Sequence, residues 1–435
     1  MGSKHFLLVT YYWPPAGGPG VQRWLKFTRY LCEMGYRITL VIPENPSYPL
    51  TDETLLKEVP SGLDIHRLPI WEPYTIAEKF SRSNKKFKAG QFDKTQNQSI
   101  LSRISIWIRG NFFIPDARRF WIQPTVKYIQ KTIFTSQQLP VLITTGPPHS
   151  VHLIGLHLKT SNSTLQWVAD FRDPWTEISY FSELKLTNLA RKMHYQMESA
   201  VLRHSDLVLA TSYSDTENFR TNGANAYCIT NGYDPEDLPE ASSEEKDRAH
   251  FTIAYIGVLE QLRNPVILWD VLEEIYQEIA EFRSVFRFVF VGKVDPKIIL
   301  NLQNRNFTSK IDYKGYIPHR KALEEMNRAD TLLLTNFPDS KHKGIIPGKL
   351  FEYLASAVPI ISFGPDNADV SRILSYTSGG AHFSYTDTGS LKEHIRLLFN
   401  QWQNQVPRRS SEKVHEFSRK NLTLALTSLF EQELY

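Results

Sequence analysis

Short runs of apolar and β-branched residues alternate with helical patterns along most of the chain. In the first half, this alternation predicts strands at Phe6–Thr10, Arg37–Ile42, Asp64–Leu68, Val141–Thr145, Gln166–Ala169, Asp206–Ala210 and Tyr227–Thr230. Helices are predicted between them, for example over Val21–Met34, Val151–Leu158 and Leu186–His204. Strands that are apolar throughout and separated by helices are typical of a parallel sheet with both faces buried.

The same pattern restarts after a polar, charged stretch at 240–250, which has the composition of a linker. Beyond it, strands are predicted at Thr252–Gly257, Arg287–Val291, Lys310–Tyr313, Thr331–Leu334 and Pro359–Ser362. The sequence therefore predicts two doubly wound α/β domains with a cleft between them. Because such sheets bind ligands at the carboxyl ends of their strands, the loops that follow strands are the candidate sites.

One region departs from this alternation. Residues 79–99 are rich in Lys, Gln, Asn and Ser, and we expect a mobile excursion there. The next stretch, 100–113, mixes Trp107, Phe112 and Phe113 with arginines. Two interpretations stay open: a core helix, or a basic and aromatic surface that meets a lipid-linked acceptor at a membrane.

Composition narrows the class of protein. A chain of 435 residues is too long for one ordinary core, which agrees with two domains. The net charge of +4 gives no general case for nucleic acid, and Cys32 and Cys228 suggest neither a disulfide framework nor a zinc site. The first strand begins too near Met1 for a signal peptide, and no apolar run is long enough to span a bilayer. We expect a cytoplasmic protein that can also sit on the inner face of the cytoplasmic membrane.

A glycine-rich loop follows the first strand. The segment Tyr11–Gly20 carries Gly17, Gly18 and Gly20 ahead of a predicted helix. Glycines at a strand-to-helix turn let the backbone approach a phosphate or a sugar closely, although a tight turn needs them as well. A nicotinamide fingerprint is a weaker alternative, because Arg23 stands where that motif has its third glycine.

Two further strand ends in the first half carry polar groups. His149 follows one strand and precedes a helix, where it is either a catalytic candidate or a capping residue. Asp170, Arg172 and Asp173 follow the next strand. Charged groups at a buried strand end are costly unless they are paired or liganded. An internal Asp–Arg pair and a catalytic or acceptor-binding role both stay open for these residues.

In the second half, Gly257 ends a strand and Arg263 precedes a helix. A guanidinium at that position would suit a diphosphate, because its planar fork can donate two hydrogen bonds. His319 follows a later strand, and we expect it to cap the next helix or to contact a base or ribose.

The segment 343–361 is predicted as a loop, a helix and a buried strand. Gly348 and Lys349 open the helix, and Glu352 follows within its first turns. Helix N-termini attract anions, and a carboxylate beside them can accept hydrogen bonds from sugar hydroxyls. Phosphate next to a polyol is the chemistry of a nucleotide sugar.

Together these segments resemble the GT-B glycosyltransferases, and most closely the retaining glycosyltransferase family 4, also called the group 1 glycosyltransferases. The likeness rests on Tyr11–Gly20, Asp170–Trp175, Ile229–Asp234, Tyr255–Pro265 and above all Pro347–Pro359. It implies an α/β, GT-B fold with two doubly wound Rossmann-like domains that face each other across a cleft. Residues 1–240 would then bind the acceptor, 250–408 would bind the nucleotide sugar, and 409–435 would pack back on the first domain as a helix.

The resemblance also implies roles for single residues. Glu352 matches the second glutamate of the family's motif, which contacts the ribose, whereas Gly344 stands in place of the first, which lies against the donor sugar. Arg263 and Lys349 resemble the basic residues that hold the donor diphosphate. Many members have a histidine after the fifth strand of the first domain, where this chain has Asp170–Asp173. The identity of the sugar therefore stays open.

The activity implied by the resemblance is transfer of a sugar, with retention, from a nucleotide-sugar donor to a glycan or lipid-linked acceptor. The expected setting is the assembly of bacterial cell-surface polysaccharide or lipopolysaccharide. Catalysis would fall to Asp170, Asp173 and His149. No metal or other cofactor is expected, because the sequence holds no D-x-D in a plausible loop, no H-E-x-x-H and no paired CxxC. Two alternatives remain: a GT-B nucleotide-sugar epimerase, and a non-catalytic nucleotide-sugar-binding member, which Gly344 suggests.

Overall fold

The computed structural model describes residues 5–73, 106–108, 110–135, 138–178, 181–238, 249–408 and 410–435. The chain divides into two compact units. The first comprises Met1–Thr230 together with Thr423–Tyr435, and the second comprises Asn231–Leu422. The predicted excursion at 79–99 and most of the predicted linker lie outside the described residues.

The first unit is built on a parallel sheet of seven strands in the order β3-β2-β1-β4-β5-β6-β7. Its strands are His5–Thr10 (β1), Arg37–Pro43 (β2), Asp64–Leu68 (β3), Val141–Gly146 (β4), Trp167–Phe171 (β5), Leu207–Ala210 (β6) and Ala226–Cys228 (β7). Every strand predicted in this half is confirmed, with ends that differ by at most two residues. The strand order reverses between β1 and β4, and doubly wound sheets bind ligands at such a switch point.

Helices connect these strands: Pro19–Glu33 (α1), Ile122–Tyr128 (α2), Ser150–Ser161 (α3), Asn188–His204 (α4) and Tyr213–Thr221 (α5). Their starts follow local chemistry, since Pro19 suits the first turn of α1 and the hydroxyls of Thr187 and Ser212 cap α4 and α5. Strands β4 and β5 are buried at every residue. Both faces of the sheet centre are therefore covered, as the unbroken apolar runs predicted.

The second unit has a parallel sheet of six strands in the order β10-β9-β8-β11-β12-β13. Its strands are Phe251–Ile256 (β8), Phe286–Val291 (β9), Ile311–Gly315 (β10), Thr331–Thr335 (β11), Ile360–Phe363 (β12) and Gly380–Phe383 (β13). The five predicted strands are confirmed, and β13 was not predicted. Strand β13 is short and begins with glycine, so it lacks the β-branched run that marks the others.

The helices of the second unit are Val266–Glu278 (α6), Ala280–Val285 (α7), Pro296–Gln303 (α8), His319–Arg328 (α9), Lys349–Ala355 (α10), Asp369–Thr377 (α11) and Thr388–Gln403 (α12). Aromatic rings fill much of the core between these helices and the sheet. Phe288 and Phe290 of β9, for example, lie 5.3 and 6.0 Å from the ring of Trp269 on α6. The sheet of this unit is therefore closely packed against its helices through aromatic rings.

The C-terminal stretch predicted as a helix over 409–435 contains two elements. A 3-10 helix spans Glu412–Phe417, and Arg419–Glu433 forms α13. Most of α13 belongs to the first unit, in which the ring of Phe430 lies 5.4 Å from that of Phe6. None of the helices among the described residues is both long enough and apolar enough to cross a membrane.

Candidate functional site

The glycine-rich loop of the first unit is closely packed. The amide of Gly17 donates to the carbonyl of Leu50 at 2.9 Å, and Gly18 has a φ of 94° just before α1. A Cβ added to Gly20 would lie 2.7 Å from Nη1 of Arg172. Close approach of this guanidinium therefore accounts for the glycine at position 20 without a bound ligand.

Asp170, at the carboxyl end of β5, is fully buried and saturated with hydrogen bonds. Its carboxylate accepts from Nη2 of Arg23 at 2.9 Å, Nε1 of Trp24 at 2.7 Å and the hydroxyl of Thr145 at 2.8 Å. Burial raises the pKa of Asp170, but Arg23 and these donors outweigh burial and lower the pKa below its usual value. The internal Asp–Arg pair is thus the arrangement observed, and its cation is Arg23. Asp170 has no exposed surface that could meet a substrate.

Arg172 is also buried, and it holds backbone carbonyls. Its guanidinium donates to the carbonyls of Gly20, Gly146 and Pro147. Its own carbonyl accepts from the hydroxyl of Thr211 at 2.8 Å. Arg172 therefore fixes the strand-end loops of this unit to one another.

His149 and Asp173 differ from Asp170 in what they leave free. His149 is buried and stacks on Trp175, with ring centroids 4.9 Å apart. Neither of its ring nitrogens has a hydrogen-bond partner among the described residues. Burial, together with the nearby His152, holds the pKa of His149 well below its usual value, so the ring is neutral at neutral pH. Asp173 is exposed to solvent.

Sequence reasoning missed a second polar cluster under the glycine-rich loop. Glu72 accepts from the Tyr11 hydroxyl at 2.9 Å and from the Ser47 amide at 2.7 Å, and it pairs with Nε of Arg118 at 3.1 Å. Both charged groups are buried. Tyr11 was recognised only as part of the loop, and its partners lie far away in sequence, so no local pattern could have found them.

In the second unit, the strand-end glycines bring backbone segments close together. Gly257 follows β8 with a φ of 125°, and Gly292 follows β9 with a φ of 111°. A Cβ on Gly292 would lie 2.2 Å from the carbonyl oxygen of Gly257, so no other residue fits there. These turns leave an open backbone surface at the carboxyl ends of β8 and β9.

Lys349 lies beside this surface. It is the first residue of α10, and a Cβ added to Gly257 would lie 3.5 Å from its Nζ. The ammonium donates to the carbonyl of Ile256 at 2.9 Å and sits 4.0 Å above the ring of Tyr255. Desolvation lowers the pKa of Lys349, while Tyr255 opposes this change. A bound anion would therefore stabilise the charged form of Lys349.

Arg263 also lies at this turn. Its Nη2 donates to the carbonyl of Val258 at 3.0 Å and lies 3.2 Å from the carboxylate of Glu260. The guanidinium stands 5.4 Å from the ring of Phe337. Its Nε has no hydrogen-bond partner among the described residues. Arg263 thus keeps donor capacity for a ligand.

Glu352 and His319 form a separate pair. Their nearest side-chain atoms are 3.4 Å apart, and both side chains are partly exposed, at 34% and 56% respectively. Desolvation raises the pKa of Glu352, and His319 partly offsets it. Gly348, one residue before α10, is exposed, and a Cβ there would contact no atom within 4 Å. Packing therefore does not explain the glycine at position 348.

The structure thus brings Gly257, Lys349 and Arg263 together, and it pairs Glu352 with His319. In the first unit it joins Gly20 to Arg172 and encloses Asp170. No group of three or more His, Cys, Asp or Glu side chains that could hold a metal ion occurs in the described part of the chain.

Comparison with family models and with curated proteins gives no match. Solved structures do match over nearly the full length. Sucrose-phosphate synthase from Thermosynechococcus elongatus is 14% identical, with 98% of each chain covered and a TM-score of 0.61. WaaG, a glycosyltransferase involved in lipopolysaccharide biosynthesis, is 11% identical, with 98% of this chain and 99% of WaaG covered and a TM-score of 0.53.

A UDP-N-acetylglucosamine 2-epimerase structure from Listeria monocytogenes also matches. It is 9% identical, with 99% of this chain and 98% of the epimerase covered and a TM-score of 0.52. These similarities confirm the GT-B fold that the sequence predicted.

Proposed function

We propose that this protein is a glycosyltransferase that moves a sugar, with retention, from a nucleotide-sugar donor to a glycan or lipid-linked acceptor. One observation carries the proposal. Two cations with unused donor capacity, Lys349 and Arg263, lie beside the side-chain-free turn at Gly257, and Glu352 follows one helical turn after Lys349. The GT-B fold shared with solved glycosyltransferases supports it.

The donor diphosphate would bind at Gly257. An ammonium has three donors, and the structure gives Nζ of Lys349 two partners, the carbonyl of Ile256 and the side chain of Tyr255. The remaining donor can turn to a phosphate oxygen, and Nε of Arg263 can add a further charged hydrogen bond. Glu352 would accept hydrogen bonds from the ribose hydroxyls, replacing its contact with His319.

These cations would act most strongly as the donor bond breaks. Negative charge grows on the diphosphate oxygen that leaves the sugar, and fixed cations stabilise that charge. In a retaining transfer, the acceptor hydroxyl attacks the anomeric carbon on the face from which the diphosphate departs. The departing oxygen takes the hydroxyl proton, so the products are a glycoside and a nucleoside diphosphate.

The first unit would bind the acceptor. His149 offers neutral ring nitrogens without internal partners, and Asp173 offers an exposed carboxylate. Asp173 can hydrogen-bond an acceptor hydroxyl without breaking an existing contact, whereas the buried ring of His149 would first have to be uncovered. Asp170 is assigned no catalytic role here, because Arg23 and its other donors enclose it. Arg172 would act by holding the loops in place.

Contact with a membrane surface is part of the proposal. The aromatic face consists of Trp71, Trp107, Phe112, Phe113 and Phe120. All but Phe113 are at least two-fifths exposed, and the rings of Trp71 and Phe120 lie 4.6 Å apart. Exposed tryptophan and phenylalanine beside an arginine suit the bilayer interface, and Arg119 lies 5.9 Å from Phe120.

Sedimentation with lipid vesicles tests the aromatic face. We expect the full-length protein to sediment with vesicles that contain anionic phosphatidylglycerol and to do so less after Trp71→Ala with Phe112→Ala. The exposed Leu300, in the second unit, provides a control as Leu300→Ala. Unchanged sedimentation of the double variant would remove the membrane from the proposal.

The cell-surface setting is a further part of the proposal, supported by the fold shared with WaaG, a protein of lipopolysaccharide biosynthesis.

An epimerase remains the second candidate, because a nucleotide-sugar epimerase structure also matches the whole chain. Incubation with a nucleotide sugar and no acceptor separates the two activities. Release of an epimerised free donor would favour the epimerase.

A thermal-shift screen with UDP, GDP, ADP and their sugars is the first experiment. A ligand that binds only the folded state raises the apparent stability, so the correct nucleotide should raise Tm. Product analysis with lipid-linked and free glycan acceptors then tests transfer, and the anomeric configuration of the product tests retention. Donor binding without any turnover would favour a non-catalytic binding protein.

We expect chelation by EDTA to leave transfer unchanged, and activity abolished by EDTA and restored by Mg²⁺ would refute metal-free catalysis.

A further inference from the structure

A polar groove lies in the first unit, beside the segment that carries Trp175. It has a volume of about 580 Å³ and is lined by α4, by the end of α5 and by Thr176 and Glu177. Along α4, the lining side chains Arg191, Tyr195 and Ser199 recur every fourth residue, so they form one face of the helix. The groove is therefore a continuous surface and not a gap between unrelated side chains.

The chemistry of this groove suits a sugar chain. Amide side chains from both helices line it, Gln196 from α4 and Asn218 from α5, with Asn222 just beyond α5. Such groups donate to and accept from hydroxyls. Tyr195 is 45% exposed, which leaves its ring free to pack against the apolar face of a pyranose.

The groove also carries exposed positive charge. Arg191, Lys192 and Arg203 line it and are exposed. Within the described part of the chain, none of these three side chains has a carboxylate within ion-pair distance, although the exposed Glu177 lies on the same rim. The other acid of the lining, Glu198, is buried and accepts from the amides of Trp175 and Thr176.

Glu198 connects the groove to the candidate acceptor site. Its bonds fix the backbone at 175–176, and the ring of Trp175 stacks on His149 at 4.9 Å. The indole of Trp175 also donates to Nδ1 of His194 at 3.0 Å. The surface route runs along the chain itself: the exposed Asp173 lies four residues before Glu177, which is exposed on the rim of the groove. A sugar chain whose reacting end lies at Asp173 could therefore extend along this segment into the groove.

We propose that this groove is an extended acceptor subsite for an acidic oligosaccharide, with amides and Tyr195 on the sugar rings and the three cations on its carboxylates. The inference rests on the proposed transferase function, for which it names the acceptor class.

Calorimetric titration of the full-length protein tests it, with tetragalacturonate as the probe and neutral cellotetraose as the comparison. We expect tetragalacturonate to bind more tightly. The triple variant Arg191→Gln, Lys192→Gln, Arg203→Gln should bind it at least about tenfold more weakly, because three charged contacts are lost. Tyr195→Ala should weaken both sugars. Exposed lysines away from the groove provide the control variant, Lys127→Gln with Lys131→Gln, which should bind as the wild type does.

Three results would overturn the subsite: no binding of tetragalacturonate, equal binding by the triple variant, or an equal loss in the control variant. Inorganic polyphosphate of the same charge provides a further check. If it binds as tightly as tetragalacturonate and Tyr195→Ala has no effect, the groove recognises charge alone and the sugar assignment fails. The nucleotide-induced rise in Tm should persist in the triple variant. Loss of the subsite with that rise intact refutes only this inference, whereas a wild type without any nucleotide response refutes the transferase.

Discussion

The two units place charged residues at equivalent positions and use them differently. At the strand ends of the first unit, Asp170 is completely buried and accepts hydrogen bonds from Arg23, Trp24 and Thr145. Beside the strand ends of the second unit, Lys349 and Glu352 on α10 are partly exposed, and Nε of Arg263 has no hydrogen-bond partner in the part of the chain that the structure describes. A charge at the carboxyl end of a parallel strand can therefore serve either the fold or a ligand.

The two cases differ in how many hydrogen-bonding positions of the charged group are already filled. A carboxylate that already accepts several hydrogen bonds would have to lose them before it could bind a substrate, and that loss costs free energy. A cation with spare donors gains by binding an anion. Both sets of charged side chains lie near the carboxyl ends of parallel strands, so location alone does not separate them, and the number of donors and acceptors already filled distinguishes a structural charge from a binding one.

The largest expected effect in this comparison is the loss of stability on substituting Asp170. The variant Asp170→Asn leaves Arg23 buried without its counter-charge, and breaking such a pair typically costs about 3–5 kcal/mol. We expect denaturant unfolding to show a loss of this size and hydrogen exchange to show faster opening of β5. The matched control is Asp173→Asn, which changes an exposed carboxylate three residues along the chain and should alter stability by less than about 0.5 kcal/mol. Equal losses from both variants would contradict the contrast.

Lys349 should show the opposite behaviour. Lys349→Met keeps the length of the side chain and removes its charge, and a charged hydrogen bond contributes about 1.5–3 kcal/mol. We expect nucleoside diphosphate binding to weaken by about tenfold to a hundredfold, with little change in Tm of the free protein. Lys297→Met, at an exposed lysine of α8, is the control and should bind normally. A large fall in stability with unchanged binding would make Lys349 a structural residue.

The histidines of the first unit give a pH test. Burial is the main cause that lowers the pKa of His149 well below its usual value, that of His152 to about 3 and that of His194 to about 4. The unfolded chain binds their protons first as pH falls below about 6.5. Stability present above pH 6.5 should therefore be lost toward pH 4.5, at up to about 1.4 kcal/mol per pH unit for each histidine.

His149→Phe preserves the ring that stacks on Trp175 and removes one titrating group. Its unfolding free energy should fall less steeply with acid than that of the wild type. If His149 also contacts the acceptor, transfer should drop while nucleotide binding stays unchanged. An unaltered acid slope would show that His149 does not titrate as its burial requires.

Glu352 should give the smallest change in stability and a selective change in binding. Its pKa is raised, so its ionised form is disfavoured in the fold and stability is lost as pH rises through the folded pKa. Glu352→Gln should therefore be neutral or stabilising by a few tenths of a kcal/mol at pH 7, because the side chain is one-third exposed. The variant should also lose the preference for a ribonucleoside diphosphate over its 2′,3′-dideoxy analogue. A preference that survives would place the ribose elsewhere.

The sequence predicts most of the fold, because strands buried on both faces are continuous apolar runs. The strand Gly380–Phe383 was missed because two of its four positions, glycine and alanine, carry little strand preference. The C-terminal stretch was predicted as one helix, but its first part is a 3-10 turn that ends at Phe417.

The site is less visible in the sequence. Motif position alone brought Lys349, Arg263 and Glu352 into consideration, and the structure adds which of their atoms are unpaired. The sequence could not reveal that Asp170 is enclosed, because its partner Arg23 lies 147 residues away. The groove on α4 escaped notice for a related reason: cations spaced along a helix face are the usual pattern of a solvated surface.

Arg172 gives the first unit a mechanical property of its own. Through its guanidinium and its carbonyl, this one residue connects the first turn of α1 and the loops after β4 and β6 to its own loop after β5. We expect these four segments to shift together. An acceptor would meet a surface whose shape is set before binding, so little ordering entropy remains to be lost on association. The same connection makes these loops hard to exchange one at a time, since a change in any of them alters the anchorage of the other three.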